Sequence, residues 1–345
     1  MSSAIETQIG NLRFQNALAR RSQSVPPIWM MRQAGRYHRH YQDLRAKHSF
    51  MDLCKQPELA AEVALGPVLD FGFDAAILFS DLLFPLEALG MGLEYTDAGP
   101  RLGWQLDRQS ISRVRPVEDA LVQLQFQGDA VAATRERLPS DRSLIGFVGG
   151  PWTLFVYAVE GTHKGSLSDS KRLLGVFPRF CETLVPLLKR NIEMQLENGA
   201  ELVMIFDTAA GELSPTIFLS EVVPQLQRMI SDNGSRIGYY SKGTQPAHLR
   251  HDLFGGTLAG IGIDHRWSLP EVFDQFRNGF IQGNFDQTLL LAERGDLEKH
   301  LRGYLQPMIE RRPEGWICGL GHGVLPGTPE DNVRLFVDTV REVMQ

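Results

Sequence analysis

Apolar residues along this chain fall into two kinds of pattern. Some recur every three or four positions, as Val333, Phe336, Val337 and Val340 do, and these predict amphipathic helices. Others form short, mainly apolar runs: Ile28–Met31, Ala75–Phe79, Leu144–Val148, Leu202–Phe206, Arg236–Tyr240, Leu258–Ile263, Phe280–Gln282 and Trp316–Cys318. Runs this short and uniform predict strands buried on both faces. Helices are expected between them, over Tyr41–Phe50, from Pro57 past a kink at Pro67, over Trp152–Glu160, within Ser168–Asn198, from Ser214-Pro215 to about Ile230, over Pro270–Phe276 and over Leu289–Arg311. Thr328-Pro329-Glu330-Asp331 is expected to cap the last helix.

About eight buried strands, each followed by a helix, is the pattern of an α/β, single-domain (β/α)8 barrel of the TIM type. A doubly wound sheet is the competing architecture. It is disfavoured because no G-x-G-x-x-G follows the first strand, and because the last strand runs directly into a terminal helix. Residues 83–140 are longer than a connection between the second and third strands requires. They are expected to be an insertion in one domain spanning 1–345, with a hairpin over 91–106 around Asp97-Ala98-Gly99-Pro100 and a helix over Val117–Arg137.

Composition narrows the class without naming a function. A chain of 345 residues, 43% hydrophobic and 22% charged, can bury a large core. Met1 to Ser24 is polar with no apolar h-region, and no run is long enough to span a bilayer, so neither secretion nor membrane insertion is expected. Cys54, Cys181 and Cys318 are widely spaced with no Cys-x-x-Cys pair, which predicts three free thiols and no zinc site. A formal net charge of −6 argues against a nucleic-acid partner. Against that background, Arg32, Arg36, Arg39, Arg45 and Lys47, with His38 and His40, make a local basic patch opposed only by Asp43. Such a patch suits either an anion-binding cleft or a solvated helix face.

In a barrel, the residues at the carboxyl ends of the strands build the active site. Here they include Arg32 and Arg36, Asp81, Gly149-Gly150, Asp207-Thr208, Lys242, Asp264-His265, Asn284 to Asp286, and His322. About half should serve as ordinary caps, Asp264 and Asp286 first among them. Arg32 and Arg36 are permanently charged forks that match carboxylates or phosphates, although such a pair taken alone reads first as two surface arginines at a strand end. Asp81 ends an apolar run and precedes Leu82-Leu83-Phe84-Pro85; it is a helix cap or, as favoured here, a functional anion kept out of water at a cost. His322, between two glycines, stays open between a ligand contact and a plain loop residue. Tyr157, on a short apolar helix, reads first as core with a satisfied hydroxyl.

Several stretches, taken in order, resemble the uroporphyrinogen decarboxylase family: W-M-M-R-Q-A-G-R-Y at Trp29 to Tyr37, I-L-F-S-D-L-L at Ile77 to Leu83, A-L-G-M-G-L at Ala88 to Leu93, G-P-W-T-L at Gly150 to Leu154, Y-x-x-E-G from Tyr157, F-D-T at Phe206 to Thr208, Q-G-N-x-D from Gln282, and G-H-G from Gly321. The resemblance implies a homodimer of distorted barrels that uses no metal and no cofactor; a cytoplasmic location is expected, with composition equally compatible with an organelle stroma. Its implied reaction removes carbon dioxide from the four acetate arms of uroporphyrinogen III, giving coproporphyrinogen III on the route to haem or chlorophyll. Carried over by position, the functional residues are Arg32, Arg36, Asp81, Tyr157, Thr208 and His322, with Gln33 and Phe206 lining the pocket; Thr208 stands where some members have serine. On that basis Asp81 is expected to meet the pyrrole N–H groups while Arg32 and Arg36 hold carboxylate arms. Tyr157, Thr208 and His322 would fix the macrocycle. The proton donor stays open between water, the histidine and an unusually placed Arg32.

Two departures stand out. His38-Arg39-His40 replaces the family's leucine-proline-glutamate and is expected to make the entrance more basic, and Gly319 replaces an asparagine whose amide bond would be lost. Zinc-dependent methyltransferases of similar fold are one rival, but their His-x-Cys plus later Cys is missing, since Cys318 is the last cysteine and precedes His322. A non-catalytic scaffold is the other; it would have lost Asp81 or an arginine, and neither is lost.

Overall fold

The computed structural model describes residues 10–96, 99–250 and 256–345. Its core is a curled parallel sheet of seven strands: β1 (Ala75–Ile77), β4 (Ser143–Gly149), β5 (Leu202–Asp207), β6 (Ile237–Ser241), β7 (Gly260–Gly262), β8 (Phe280–Gln282) and β9 (Trp316–Ile317), each hydrogen-bonded to the next. β2 (Glu94–Thr96) and β3 (Gly99–Arg101) form a separate antiparallel hairpin. Every residue of β4 and β5 is buried, as their unbroken apolar runs predict for strands covered by helices on the outer face. Register sets the strand ends level: Gly149 lies opposite Phe206, and Asp207 opposite Ser241.

The strand expected at Ile28–Met31 is reduced to a single parallel bridge from Ile28 to Cys318. Side chains occupy the places that a strand's backbone would use. Asp74 takes the Ile28 N–H on its carboxylate at 2.8 Å and returns its own N–H to the Ile28 carbonyl at 2.9 Å. Beyond Trp29 the Gln33 amide accepts from Met30 N–H and donates to the Ala75 carbonyl. The segment thus lies between β9 and β1 without becoming a ladder.

Several expected helices form with shifted ends. The first is two helices, Arg39–Arg45 and Phe50–Lys55, the second started by a capping box between Ser49 and Asp52. The helix Pro57–Phe71 carries Pro67 inside it and ends on left-handed Gly72. Val117–Arg137 divides into Val117–Val122 and Gln125–Arg137. Leu289–Arg311 divides likewise into a 3-10 turn over Gln287–Leu291 and a helix over Arg294–Arg311. Ser214 caps as expected, accepting from Ile217 N–H. The terminal helix Glu330–Val343 starts at Pro329 with no side-chain cap, and the buried Thr328 hydroxyl has no hydrogen-bond partner among the described residues. Asp97 and Ala98, at the tip of the expected hairpin, lie outside the described residues. Cys54, Cys181 and Cys318 are free and buried, and among the described residues no helix is long and apolar enough to cross a membrane.

Candidate active site

The carboxyl ends of the strands open into a cavity of about 890 Å³, in the upper part of the roughly 300–1,000 Å³ usual for ligand sites. Arg32, Arg36, Asp81, Phe206, Thr208 and His322 all line it. So does Arg45, which the sequence shows only as one charge in a basic patch, together with Tyr41 and Gln42 from the same helix. The hairpin contributes Tyr95, Thr96 and Gly99, so the insertion supplies part of the wall.

Arg32 and Arg36 follow the Ile28 bridge in a chain of tight turns. Arg32 adopts a left-handed backbone at φ +57°, a conformation that costs a non-glycine residue on the order of 1 kcal/mol and is retained where the surroundings over-determine it. Room for its stem comes from the G-H-G motif: a Cβ on Gly323 would sit 2.5 Å from Arg32 Cδ. Among the described residues, neither Arg32 nor Arg36 is paired with a carboxylate. Two unneutralised guanidiniums on one cavity wall are a site for an anionic ligand.

Asp81 lines the same cavity just past β1, with one oxygen accepting Leu83 N–H at 2.9 Å. That single bond makes it a turn cap and leaves the rest of the carboxylate for the cavity. Burial raises its carboxyl above the ordinary value, opposed by the Leu83 N–H, by Tyr95 and by the charge of Arg32. The buried Tyr95 hydroxyl lies beside Asp81 but outside hydrogen-bond geometry with any partner. Tyr157, on the helix Pro151–Glu160, is half-buried; burial and then Asp81 push its phenol up, so it stays a donor.

Tyr157 and Gln33 are not among the cavity-lining residues. Gln33 is buried and serves the backbone as described above. Tyr157 packs edge-on against His163, ring centroids 6.3 Å apart, and His163 Nδ1 lies 3.5 Å from the Thr208 hydroxyl. His163 therefore joins two candidate residues, and the sequence reading missed it; its one signal is its place just beyond Y-x-x-E-G. Phe147 and Phe206 meet at 5.6 Å on the cavity floor. His322 stacks on Tyr240, and burial, followed by Arg32 and Lys242, pulls its imidazole down to about 4. A histidine held this low is neutral at pH 7 and is a poor reservoir of protons, which removes the expected ease of using it as the acid.

Two other strand-end groups, Asp264 and Asp286, bond to the protein itself. Asp264 accepts Gly243 N–H and Arg266 N–H and pairs with the Arg266 guanidinium. It clasps two loops and does not cap the following helix, which starts after Ser268 with no side-chain cap bond. Asp286 caps the turn at Thr288 as expected. His38 does not enlarge the basic entrance: it is fully buried, 2.7 Å from Asp70, and burial lowers its imidazole. His40 faces Glu62 and Arg39 faces Asp43, and none of the three lines the cavity. At Gly319 a Cβ would lie 2.4 Å from the Trp29 carbonyl oxygen, so no side chain fits there, and the Gln282 amide reaches the Leu320 carbonyl at 3.4 Å. Among the described residues no cluster of His, Cys, Asp and Glu could hold a metal ion.

The family model for uroporphyrinogen decarboxylase (URO-D) matches residues 10–343. The chain belongs to the uroporphyrinogen decarboxylase family. A uroporphyrinogen decarboxylase from Myxococcus xanthus is 37% identical over 347 residues, with 96% of each chain covered. One from Sorangium cellulosum is 36% identical, again with 96% of each covered. Among solved structures, a methyltransferase from Methanosarcina mazei superposes with a TM-score of 0.71 at 19% identity, covering 96% of this chain and 97% of its own. That likeness shows the fold alone. Within the uroporphyrinogen decarboxylase family, the motif arginines, Asp81 and the G-H-G histidine of this chain meet at one cavity although they lie almost 300 positions apart in sequence, from Arg32 to His322.

Proposed function

We propose that this chain is a carboxy-lyase that converts uroporphyrinogen III to coproporphyrinogen III, replacing each acetate carboxylate with a proton. Family membership over residues 10–343 supports the reaction. The observation that carries the mechanism is the pairing, on one cavity, of the Asp81 carboxylate with guanidiniums that have no protein counter-ion.

A proton adds to the ring carbon next to the acetate-bearing carbon, giving an iminium-like cation. The C–CO2 bond then breaks and its electron pair moves into that cation as an exocyclic methylene. The methylene takes a proton to become methyl, and the ring carbon loses the one it gained. Asp81 accepts the pyrrole N–H groups and stabilises the cation in a water-poor cleft, where such an interaction is strong. Arg32, Arg36 and Arg45 hold the carboxylate arms. Thr208 and His322 orient the ring, with Phe206 beneath it, and Tyr157 acts from behind them through His163 and Thr208. A guanidinium is a poor acid at neutral pH and His322 is neutral there, so the first proton is assigned to solvent.

The same reading closes the seven strands and the Ile28 bridge into an eight-stave barrel, one domain with 83–140 as its insertion. It takes the working form to be a cytoplasmic homodimer without metal or organic cofactor. Purified protein incubated anaerobically with uroporphyrinogen III should release carbon dioxide and give porphyrinogens with seven, six, five and then four carboxylates. Absence of turnover in fully reduced, zinc-free and zinc-supplemented samples would overturn the assignment, and turnover appearing only with zinc would favour the methyltransferase-like chemistry.

A further inference from the structure

The cavity histidine has a specified tautomer. Tyr240, on β6, is fully buried and stacks on His322 with ring planes 9° apart and centroids at 6.2 Å. Its hydroxyl lies 2.7 Å from the Gly321 carbonyl oxygen and 3.2 Å from His322 Nδ1. A phenol has one proton and a carbonyl can only accept, so the Tyr240 proton is committed to Gly321. The contact with His322 is then satisfied only if Nδ1–H donates to the phenol oxygen. Among the described residues His322 Nε2 has no hydrogen-bond partner, and the imidazole lines the cavity.

We propose that Tyr240 is a positioning residue that fixes His322 as the Nδ1–H tautomer, so that a bare Nε2 faces the ligand as a hydrogen-bond acceptor. The consequence for recognition is a division of labour. A lone pair at Nε2 repels carboxylate arms and accepts from an N–H or O–H donor, so the arms fall to the arginines and His322 addresses a ring N–H or a bound water. Burial, with the positive charges of Arg32 and Lys242, keeps the ring neutral and preserves that acceptor. The tautomer itself stands on this geometry alone; only the identity of the donor rests on the decarboxylase reading.

Nitrogen-15 spectra of histidine-labelled, ligand-free protein at pH 7 test the tautomer without substrate. The His322 signals, assigned by their loss in His322→Gln, should show a protonated Nδ1 and an unprotonated Nε2, and Tyr240→Phe should move them towards a mixture. A protonated Nε2 in the wild-type chain would overturn the proposal, as would unchanged signals in a folded Tyr240→Phe variant. On the activity side, Tyr240→Phe should lower kcat about tenfold with little change in KM, the scale of one hydrogen bond. In a His322→Gln background, where a side-chain carbonyl replaces Nε2 without a tautomer to fix, Tyr240→Phe should cost little further. An equal loss in both backgrounds would make Tyr240 a packing residue only and sink its positioning role.

Discussion

Thr153 and Asp207 lock two neighbouring strand ends together. The Thr153 hydroxyl donates to Asp207 Oδ1 at 2.5 Å, its N–H reaches the same oxygen at 3.2 Å, and Tyr239 donates to Oδ2 at 3.1 Å. The Thr153 hydroxyl in turn accepts Ala209 N–H at 3.0 Å. Gly150 makes room for the clasp, since a Cβ there would lie 2.6 Å from Asp207 Cβ. G-P-W-T and F-D-T are therefore two halves of one buried fastening, next in sequence to the cavity residues Phe206 and Thr208.

Among the described residues Asp207 has no cation beside it, and burial lifts its carboxyl from 3.8 to about 6 despite those hydrogen bonds. A folded value above the unfolded one means that the native state holds the proton more tightly between these limits. The stabilisation is present in acid and is lost as pH rises through about 6. Relative to Asp207→Asn, the wild-type chain should gain stability between pH 7 and pH 4.5, by about 2 kcal/mol. Urea unfolding of both proteins at the two pH values measures it, and a gain in the opposite direction refutes it.

Asp81→Asn keeps the shape of the side chain and its bond to Leu83 while removing the charge. We expect kcat to fall at least about a hundredfold with the fold intact, the scale on which oriented charge stabilisation is lost. Because burial raises this carboxyl, the acid limb of kcat/KM should lie above the ordinary carboxylate range and descend as pH falls through it. Steady-state turnover near wild type would remove Asp81 from the cation-stabilising role.

Arg36 and Arg45 line the cavity, and in the proposed reading they act through binding. Arg36→Ala should raise KM roughly tenfold to a hundredfold, and Arg36→Lys distinctly less if charge alone matters or nearly as much if the planar fork is required. Arg45→Ala should follow the same pattern more weakly, because one of its amino groups already donates to the His48 carbonyl at 2.6 Å. Kinetics across a range of salt concentrations check the assignment, since arms held by arginine weaken as salt rises.

Gly323→Ala introduces a methyl group at 2.5 Å from the Arg32 stem. The arginine side chain must move, and a displacement of an ångström at a positioned group is enough to cost on the order of a hundredfold in rate. Turnover should therefore fall far more than thermal stability. A Tm loss with unchanged kcat would show that the glycine serves packing alone.

The strands that could be read from the residues were those buried on both faces. Leu144–Val148 and Leu202–Phe206 are apolar without interruption, and β4 and β5 contain them with a residue or two added at the ends. Ile28–Met31 has the same local pattern, yet its partners are the side chains of Asp74 and Gln33, and no local periodicity reports a bond made 46 positions away. His38 looked like surface charge because nothing in its neighbourhood shows that the helix Pro57–Phe71 brings Asp70 against it. Arg45 was visible as a charge and not as a cavity residue, since facing direction depends on how the helix Arg39–Arg45 docks. His163 lacked any motif of its own.

The thin seam at Ile28 has a dynamic consequence. Between β4 and β5 five residue pairs are in register, whereas the Ile28 segment is joined to its neighbours by one bridge and a few isolated bonds. Amide hydrogens of Asp74 and Cys318 should therefore exchange with solvent through local openings that leave those of β4 and β5 protected. Arg32 and Arg36 hang from that seam. A polyanion that gathers them also fastens the stretch of sheet that opens at lowest free energy, so ligand protection against exchange should be greatest where the protein alone is weakest.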